Sequence, residues 1–154
     1  MTFSVRRLGP QDLALLETLA RDDADFDIPG RGRPHEPLTP DAARAYLADP
    51  AVLHWVAESA GEVVGHMYCH VLRKHSDDPT EVLLYEFGVR SAHRRRGVGR
   101  ALVEALDLWM KDHHIRDSWV LADNPGAVEF YRACGFEIEE PAPVYLVRTG
   151  GGGG

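Results

Sequence analysis

The run His93-Arg94-Arg95-Arg96-Gly97-Val98-Gly99-Arg100 sits between an apolar segment, Val82–Val89, and a helical pattern, Ala101–Met110, and it constrains the chain more than any other stretch. A strand that ends in a Gly-containing turn and feeds a helix leaves the helix's first amide N–H groups without intrahelical partners, and those groups attract anions. Glycines at 97 and 99 let the backbone come close to a bulky pyrophosphate, while Arg94, Arg95, Arg96 and Arg100 add forked donors that suit phosphate oxygens. The turn reads as a phosphate cradle, so a phosphorylated cofactor is expected.

Two phosphate loops can be set aside. The P-loop string G-x-x-x-x-G-K-[ST] does not occur, and Gly97-Val98-Gly99-Arg100-Ala101-Leu102 puts Leu where a dinucleotide fingerprint needs its third Gly. What remains is R-x-x-G-x-G, Arg94 to Gly99, at a helix start. A second segment, Asn124-Pro125-Gly126-Ala127-Val128-Glu129-Phe130-Tyr131-Arg132-Ala133-Cys134-Gly135-Phe136, reads as a short capped helix. Asn124 is a good N-cap, Pro125 suits the first helical position and Gly135 stops the helix. Ala127, Phe130, Tyr131 and Cys134 fall on one stripe, in which Tyr131 carries the strong proton donor.

Together these two segments, in this order, resemble the paired signatures of the Gcn5-related N-acetyltransferases. The resemblance implies an acyl-CoA N-acyltransferase fold of the α+β class, a three-layer sandwich with a mixed central sheet flanked by helices, and acetyl-CoA as cofactor. It implies that Arg94, Arg95, Arg96, Gly97, Val98, Gly99 and Arg100 hold the pyrophosphate, that Asn124, Ala127 and Tyr131 also line the cofactor, and that backbone groups of Phe87 and Val89 hold the thioester and pantetheine arm.

At 154 residues the chain suits one domain, expected over residues 1–149, followed by a flexible Gly tail, 150–154. Two cysteines, Cys69 and Cys134, argue against a disulfide scaffold and against a cysteine-ligated zinc site. The net charge of −7 disfavours nucleic acid and suits a cationic small molecule. There is no apolar run of membrane-spanning length and no secretory h-region near Met1, so a cytoplasmic protein is expected; a homodimer is left open. Asp22, Asp23, Asp25 and Asp27 cluster in one early stretch.

Read in order, Phe3–Leu8 is an edge strand, a helix opens at Pro10, and Asp22–Pro40 is a long loop rich in breakers, including Gly30-Arg31-Gly32-Arg33. Thr39 caps a second helix through Leu47. Ala51–Glu58 and Glu62–Leu72 form a hairpin, and Thr80–Val89 is a central strand buried on both faces. After the Arg/Gly turn come a helix to about His113, a strand at Ser118–Ala122, the capped helix, and strands near Phe136–Glu139 and Val144–Arg148.

Glu86 interrupts the strand Thr80–Val89, on the face of Val82 and Leu84 by the two-residue period. A carboxylate there must pair, protonate or do chemistry, and partial desolvation would raise its pKa toward what a general base for an ammonium needs. His66, Tyr68 and His70 share a face of another strand, but a metal site lacks a third ligand at recognisable spacing.

The stretch from His70 through Glu81-Val82-Leu83-Leu84-Tyr85-Glu86-Phe87-Gly88-Val89 to His93-Arg94-Arg95 is similar to the type I aminoglycoside 3-N-acetyltransferases. That resemblance implies direct acetyl transfer to an aminoglycoside amine, with Glu86 as base and Tyr131 as proton donor to the departing thiolate. Asp22, Asp23, Asp25, Asp27, Glu86, Glu139 and Glu140 would attract the polycation. A protein, peptide or metabolite amine is the alternative acceptor, and a non-catalytic acyl-CoA-binding module the alternative class.

Overall fold

The computed structural model describes residues 2–26, 36–75 and 80–150. The chain divides into two compact units, Met1–Leu121 and Ala122–Gly154. The expected Gly tail at 151–154, Asp27 and the Gly30–Arg33 run lie outside the described residues.

The first unit holds a five-stranded sheet in the order β1-β2-β3-β4-β5. Its strands are β1 (Ser4–Arg7), β2 (Val52–Ser59), β3 (Glu62–Arg73), β4 (Thr80–Val89) and β5 (Asp117–Val120). Strands β1 to β4 pair antiparallel, and β5 joins β4 in parallel, so the sheet is mixed. Helices α1 (Leu13–Arg21), α2 (Asp23–Phe26) and α3 (Pro40–Ala48) precede the hairpin, and α4 (Val98–Asp112) makes the crossover from β4 to β5.

The helices cover opposite faces. Gly65 and His66 are neighbours in β3, so their Cβ directions oppose. A Cβ on Gly65 would meet Val98 and Leu102 of α4, whereas Gly88, paired with His66, faces Phe26 of α2. Between α4 and the sheet lie Met67, Cys69, Val82, Leu84, Leu102 and Leu106, all essentially buried. On the other face Leu8, Leu19, Phe26, Val56 and Val63 form a second core. This is the three-layer α+β arrangement expected from the motifs.

Gly88 is where the α2 layer comes closest to β4. A Cβ there would stand 2.6 Å from the Phe26 carbonyl oxygen and 2.8 Å from Phe26 Cβ. Backbone cannot swing aside as a side-chain tip can, so Gly88→Ala should destabilise the fold by about 1–3 kcal/mol, read as a lowered Tm.

Local signals placed several elements well. Thr39 caps α3, its hydroxyl accepting from Ala42 N–H at 3.3 Å, with Pro40 as the first helical residue. The first helix, in contrast, starts at Leu13 rather than Pro10. Asp12 holds the chain in a turn: its carboxylate accepts from Gly9 N–H at 2.8 Å and from both Arg6 terminal nitrogens at 3.0 and 2.9 Å. The long loop from Asp22 begins with the one-turn α2.

In the second unit, α5 (Pro125–Ala133) has the expected caps. Asn124 Oδ1 accepts from Ala127 N–H at 2.8 Å, and Gly135 takes φ 99°. The strands expected near Phe136–Glu139 and Val144–Arg148 do not form: residues 136–150 carry no regular structure, and Val144, Tyr145, Leu146 and Val147 are 71–84% exposed. Alternating apolarity states which side chains would share a face but not whether a ladder partner lies alongside, and Pro141 and Pro143 remove two donors at the start of the run.

Candidate active site

The site is built around a defect in the β3–β4 ladder. Tyr68 pairs with Glu86, but the next residue, Cys69, pairs with Leu84, so Tyr85 is the extra residue of a β-bulge. Cys69 and Tyr68 point to opposite faces, and their partners follow them. Leu84 and Val82 therefore face α4, while Glu86 faces the other way, beside Tyr68. This corrects the expectation that Glu86 shares a face with Val82 and Leu84, because the two-residue period fails across a bulge. It also corrects the reading of β4 as buried on both faces: Tyr85 is 62% exposed and Glu86 and Phe87 are half-buried.

The parallel β4–β5 ladder ends at Leu84 opposite Val120, and among the described residues β4 runs on to Val89 paired with β3 only. The segment that carries Glu86, Phe87 and Val89 thus lies beyond the reach of β5 pairing, on the way to the Arg/Gly turn.

On the Glu86 side the sheet is polar and aromatic. The Tyr68 hydroxyl donates to Glu86, and burial followed by the carboxylate's charge pushes the Tyr68 pKa well above the usual phenol value. Tyr46, from α3, is raised for the same two reasons in the same order. Its hydroxyl meets His54 Nδ1 at 2.8 Å, and His54 Nε2 meets His66 Nδ1 at 3.1 Å. Burial pushes the His66 pKa down to about 4, with the Arg90 charge adding to it, and burial followed by His66 pushes His54 well below its usual value. His66 is thus engaged by another imidazole in a hydrogen-bonded chain. Tyr46 and His54 were missed from sequence, although His54 lies opposite Tyr68 in the hairpin register.

Past β4 the chain makes one 3₁₀ turn, Ser91–His93, and then bends through two left-handed residues, Arg95 at φ 62° and Gly97 at φ 82°. Gly97 is the N-cap of α4 and has no side chain to bond the helix's leading N–H groups. Arg94 Nε donates to the Val89 carbonyl at 3.1 Å, tying the turn to the strand end. Arg95, Arg96, Gly97 and Arg100 are exposed, whereas Val98 and Gly99 are buried under the turn and bring only backbone to its outer side. A Cβ on Gly97 would have nothing within 4 Å. The turn therefore fits a pyrophosphate: exposed arginines at 95, 96 and 100 flank in sequence a helix N-terminus whose cap residue carries no side chain. Gly97→Val fills that approach and forces a β-branched residue to positive φ. It should raise the dissociation constant for acetyl-CoA about tenfold or more, measured by calorimetry on folded protein.

The acidic stretch has another job. Asp22 and Asp25, expected to face a polycation, both bind Arg90, at 2.8 and 3.2 Å, and Asp25 also accepts from Ser91 Oγ at 2.6 Å. The Arg90 guanidinium lies 4.4 Å over the Phe26 ring and donates to the Val63 carbonyl at 2.6 Å. The two carboxylates anchor α2 to the end of β4. Asp23 is half-buried in α2 and has a partner of its own.

In the second unit Tyr131 is 8% exposed and packs edge-on to Phe130 and Phe136. Asn124 is engaged as the cap of α5, with Ala127 as its donor, and Glu139 and Glu140 are exposed.

A fold of this topology with an arginine-glycine turn between β4 and α4 defines a class of acyl-CoA-dependent enzymes, and comparison with known proteins agrees. The chain belongs to the acetyltransferase (GNAT) family, whose model matches residues 16–136. Members of this family use acetyl-CoA. The L-amino acid N-acetyltransferase AaaT of Escherichia coli strain K12 is 35% identical over 111 residues, which span 68% of this chain and 65% of that protein. The structure is similar to an aminoglycoside acetyltransferase, HMB0005, from an uncultured soil metagenomic sample, with TM-score 0.79, 26% identity, and coverage of 97% of this chain and 100% of that one. The aminoglycoside 6'-N-acetyltransferase AAC(6')-Ih of Acinetobacter baumannii shares the fold, with TM-score 0.72, 17% identity, and coverage of 97% and 100%. The curated relatives are longer than the stretch they share with this chain, which spans 45% of the N-acetyltransferase 8 of Rattus norvegicus and as little as 38% of another. No helix among the described residues is long and apolar enough to cross a membrane.

Proposed function

We propose that this acetyltransferase acts on a small-molecule amine by direct transfer, with the 3-amino group of an aminoglycoside as the acceptor. The observation that carries the reading is the Tyr85 bulge, which turns a carboxylate onto a polar, half-buried face of the strand leading into the cofactor turn. Acetyl-CoA, when bound, supplies the acetyl group as a thioester. Glu86 takes a proton from the substrate ammonium, freeing the nitrogen lone pair, and the Tyr68 hydroxyl fixes the orientation of the accepting carboxylate. Tyr131 is assigned as proton donor to the departing sulfur on the family resemblance. Backbone groups of Phe87 and Val89, with Arg94 through Arg100, are assigned to the cofactor in the same way.

Direct transfer is favoured over an acyl-enzyme route by the state of Cys69. It is fully buried on the α4 face, opposite to Glu86, and burial pushes its thiol up to about 12. The choice of an aminoglycoside rests on the β4 motif and on the likeness to HMB0005. An amino-acid or other metabolite amine is the second reading. It is favoured by the ion pairs of Asp22 and Asp25 with Arg90, which take two carboxylates from any polycation site.

The test is acetyl-CoA consumption across aminoglycosides, polyamines, lysine peptides and free amino acids. A gentamicin-type compound is expected to be acetylated, with NMR placing the new amide on its 3-amino group. Turnover of amino acids with none of any aminoglycoside would move the assignment to the second reading.

A further inference from the structure

The bulge places two consecutive β4 side chains, Tyr85 and Glu86, on one face of the sheet. Tyr85 stacks on Tyr68 with ring centroids 5.4 Å apart and planes 26° from parallel, and it meets His70 edge-on at 5.5 Å. Tyr68 is in turn crossed at near right angles by His70 and by Tyr46, at 85° and 81°. The ring of Tyr85 is thus held in one plane by its neighbours, yet the residue is 62% exposed beside the carboxylate. A large ring so exposed and so well oriented calls for a partner of matching chemistry.

We propose that Tyr85 is a specificity-determining residue, a platform for the ring of an alicyclic amine whose amino group reaches Glu86. The inference rests on the reading of Glu86 as the group that takes the ammonium proton. An aromatic face carries negative potential that attracts an ammonium and the polarised C–H bonds next to it, and a flat ring covers such a face where a linear chain does not. Because Tyr68 and His70 already fix the plane, little side-chain freedom is lost when a ligand settles on it. Recognition then combines one carboxylate with one ring face and does not require a field of acidic residues, in keeping with the engagement of Asp22 and Asp25 by Arg90.

Two measurements test this. In the first, ring-proton NMR signals of Tyr85 are followed as 2-deoxystreptamine, a ring diamine, or spermidine, a linear polyamine, is added to the wild-type protein. Saturable shifts with the ring amine and none with the linear one are expected; no shift with 2-deoxystreptamine overturns the proposal. In the second, Tyr85→Ala should raise KM for a gentamicin-type substrate about five- to tenfold with kcat changed less than about twofold, and Tyr85→Phe and Tyr85→Trp should restore it. An unchanged KM in Tyr85→Ala, or an equal loss in Tyr85→Phe, contradicts a platform role. The two readings separate cleanly: saturable Tyr85 shifts without acetylation of any aminoglycoside would keep the platform and remove the proposed reaction. Acetylation of gentamicin with no response at Tyr85 would keep the reaction and remove the platform.

Discussion

Glu86→Gln should lower kcat/KM by about 10²–10⁴ at neutral pH while leaving acetyl-CoA affinity near that of the wild type. The amide keeps the shape of the carboxylate and still accepts from the Tyr68 hydroxyl, so the face beside the bulge stays intact; only proton acceptance is lost. An amine substrate is mostly protonated near neutral pH and must shed a proton before it attacks a thioester. The deficit should therefore shrink as the pH rises toward the substrate's own pKa, where free amine is present without a base. A full rate at neutral pH in a folded Glu86→Gln protein would remove the assigned role. A deficit that stays constant with pH would point to lost positioning instead.

Stability should fall by about 3 kcal/mol as the pH drops from neutrality through 6.5 to about 4, from His66 alone. His66 is 5% exposed, and its folded pKa of about 4 lies below the ordinary 6.5. A group with a depressed folded pKa contributes no penalty while both states are neutral. Between the two values the unfolded chain takes up the proton that the folded chain refuses. Stability is therefore full above about 6.5 and is lost progressively down to the folded value. His54 acts in the same direction, since burial followed by the His66 charge holds it well below its usual value, and protonating both rings would leave the His54–His66 contact with two donors and no acceptor. Asp12 and Asp25, whose carboxyls are held below 3.8 mainly by Arg6 and by Ser91, add their losses only at lower pH. Urea titrations between pH 7 and 4.5 check this. A free energy of unfolding that stays level down to pH 5 would contradict it.

The parts of this fold that were legible in the sequence are those whose signals are local. Asn124-Pro125 and Thr39-Pro40 each state a helix start within two residues, because cap and first turn form from adjacent groups. The Ala60-Gly61 turn and its flanking apolar runs state a hairpin in the same way. The features that shape the candidate site are not local. A bulge is a mismatch between two strands, and neither strand reveals it alone; reading β4 by itself put Glu86 on the wrong face. Arg90 finds Asp22 and Asp25 across separations of 68 and 65 residues, so the acidic stretch looked like a ligand surface until its partner was seen. The run Val144–Val147 shows the converse, a strand-like pattern with no ladder.

The proposed direct passage of acetyl from cofactor to amine on the Glu86 face is open to rapid-quench mass spectrometry of a single turnover. With enzyme in excess over acetyl-CoA and a gentamicin-type acceptor present, the acetyl group should appear on the acceptor as the thioester disappears, with none on the protein at any time. Acetyl captured on Cys69 or Cys134 before it reaches the acceptor, or thioester lost with no acetylated amine formed, would rule out direct transfer.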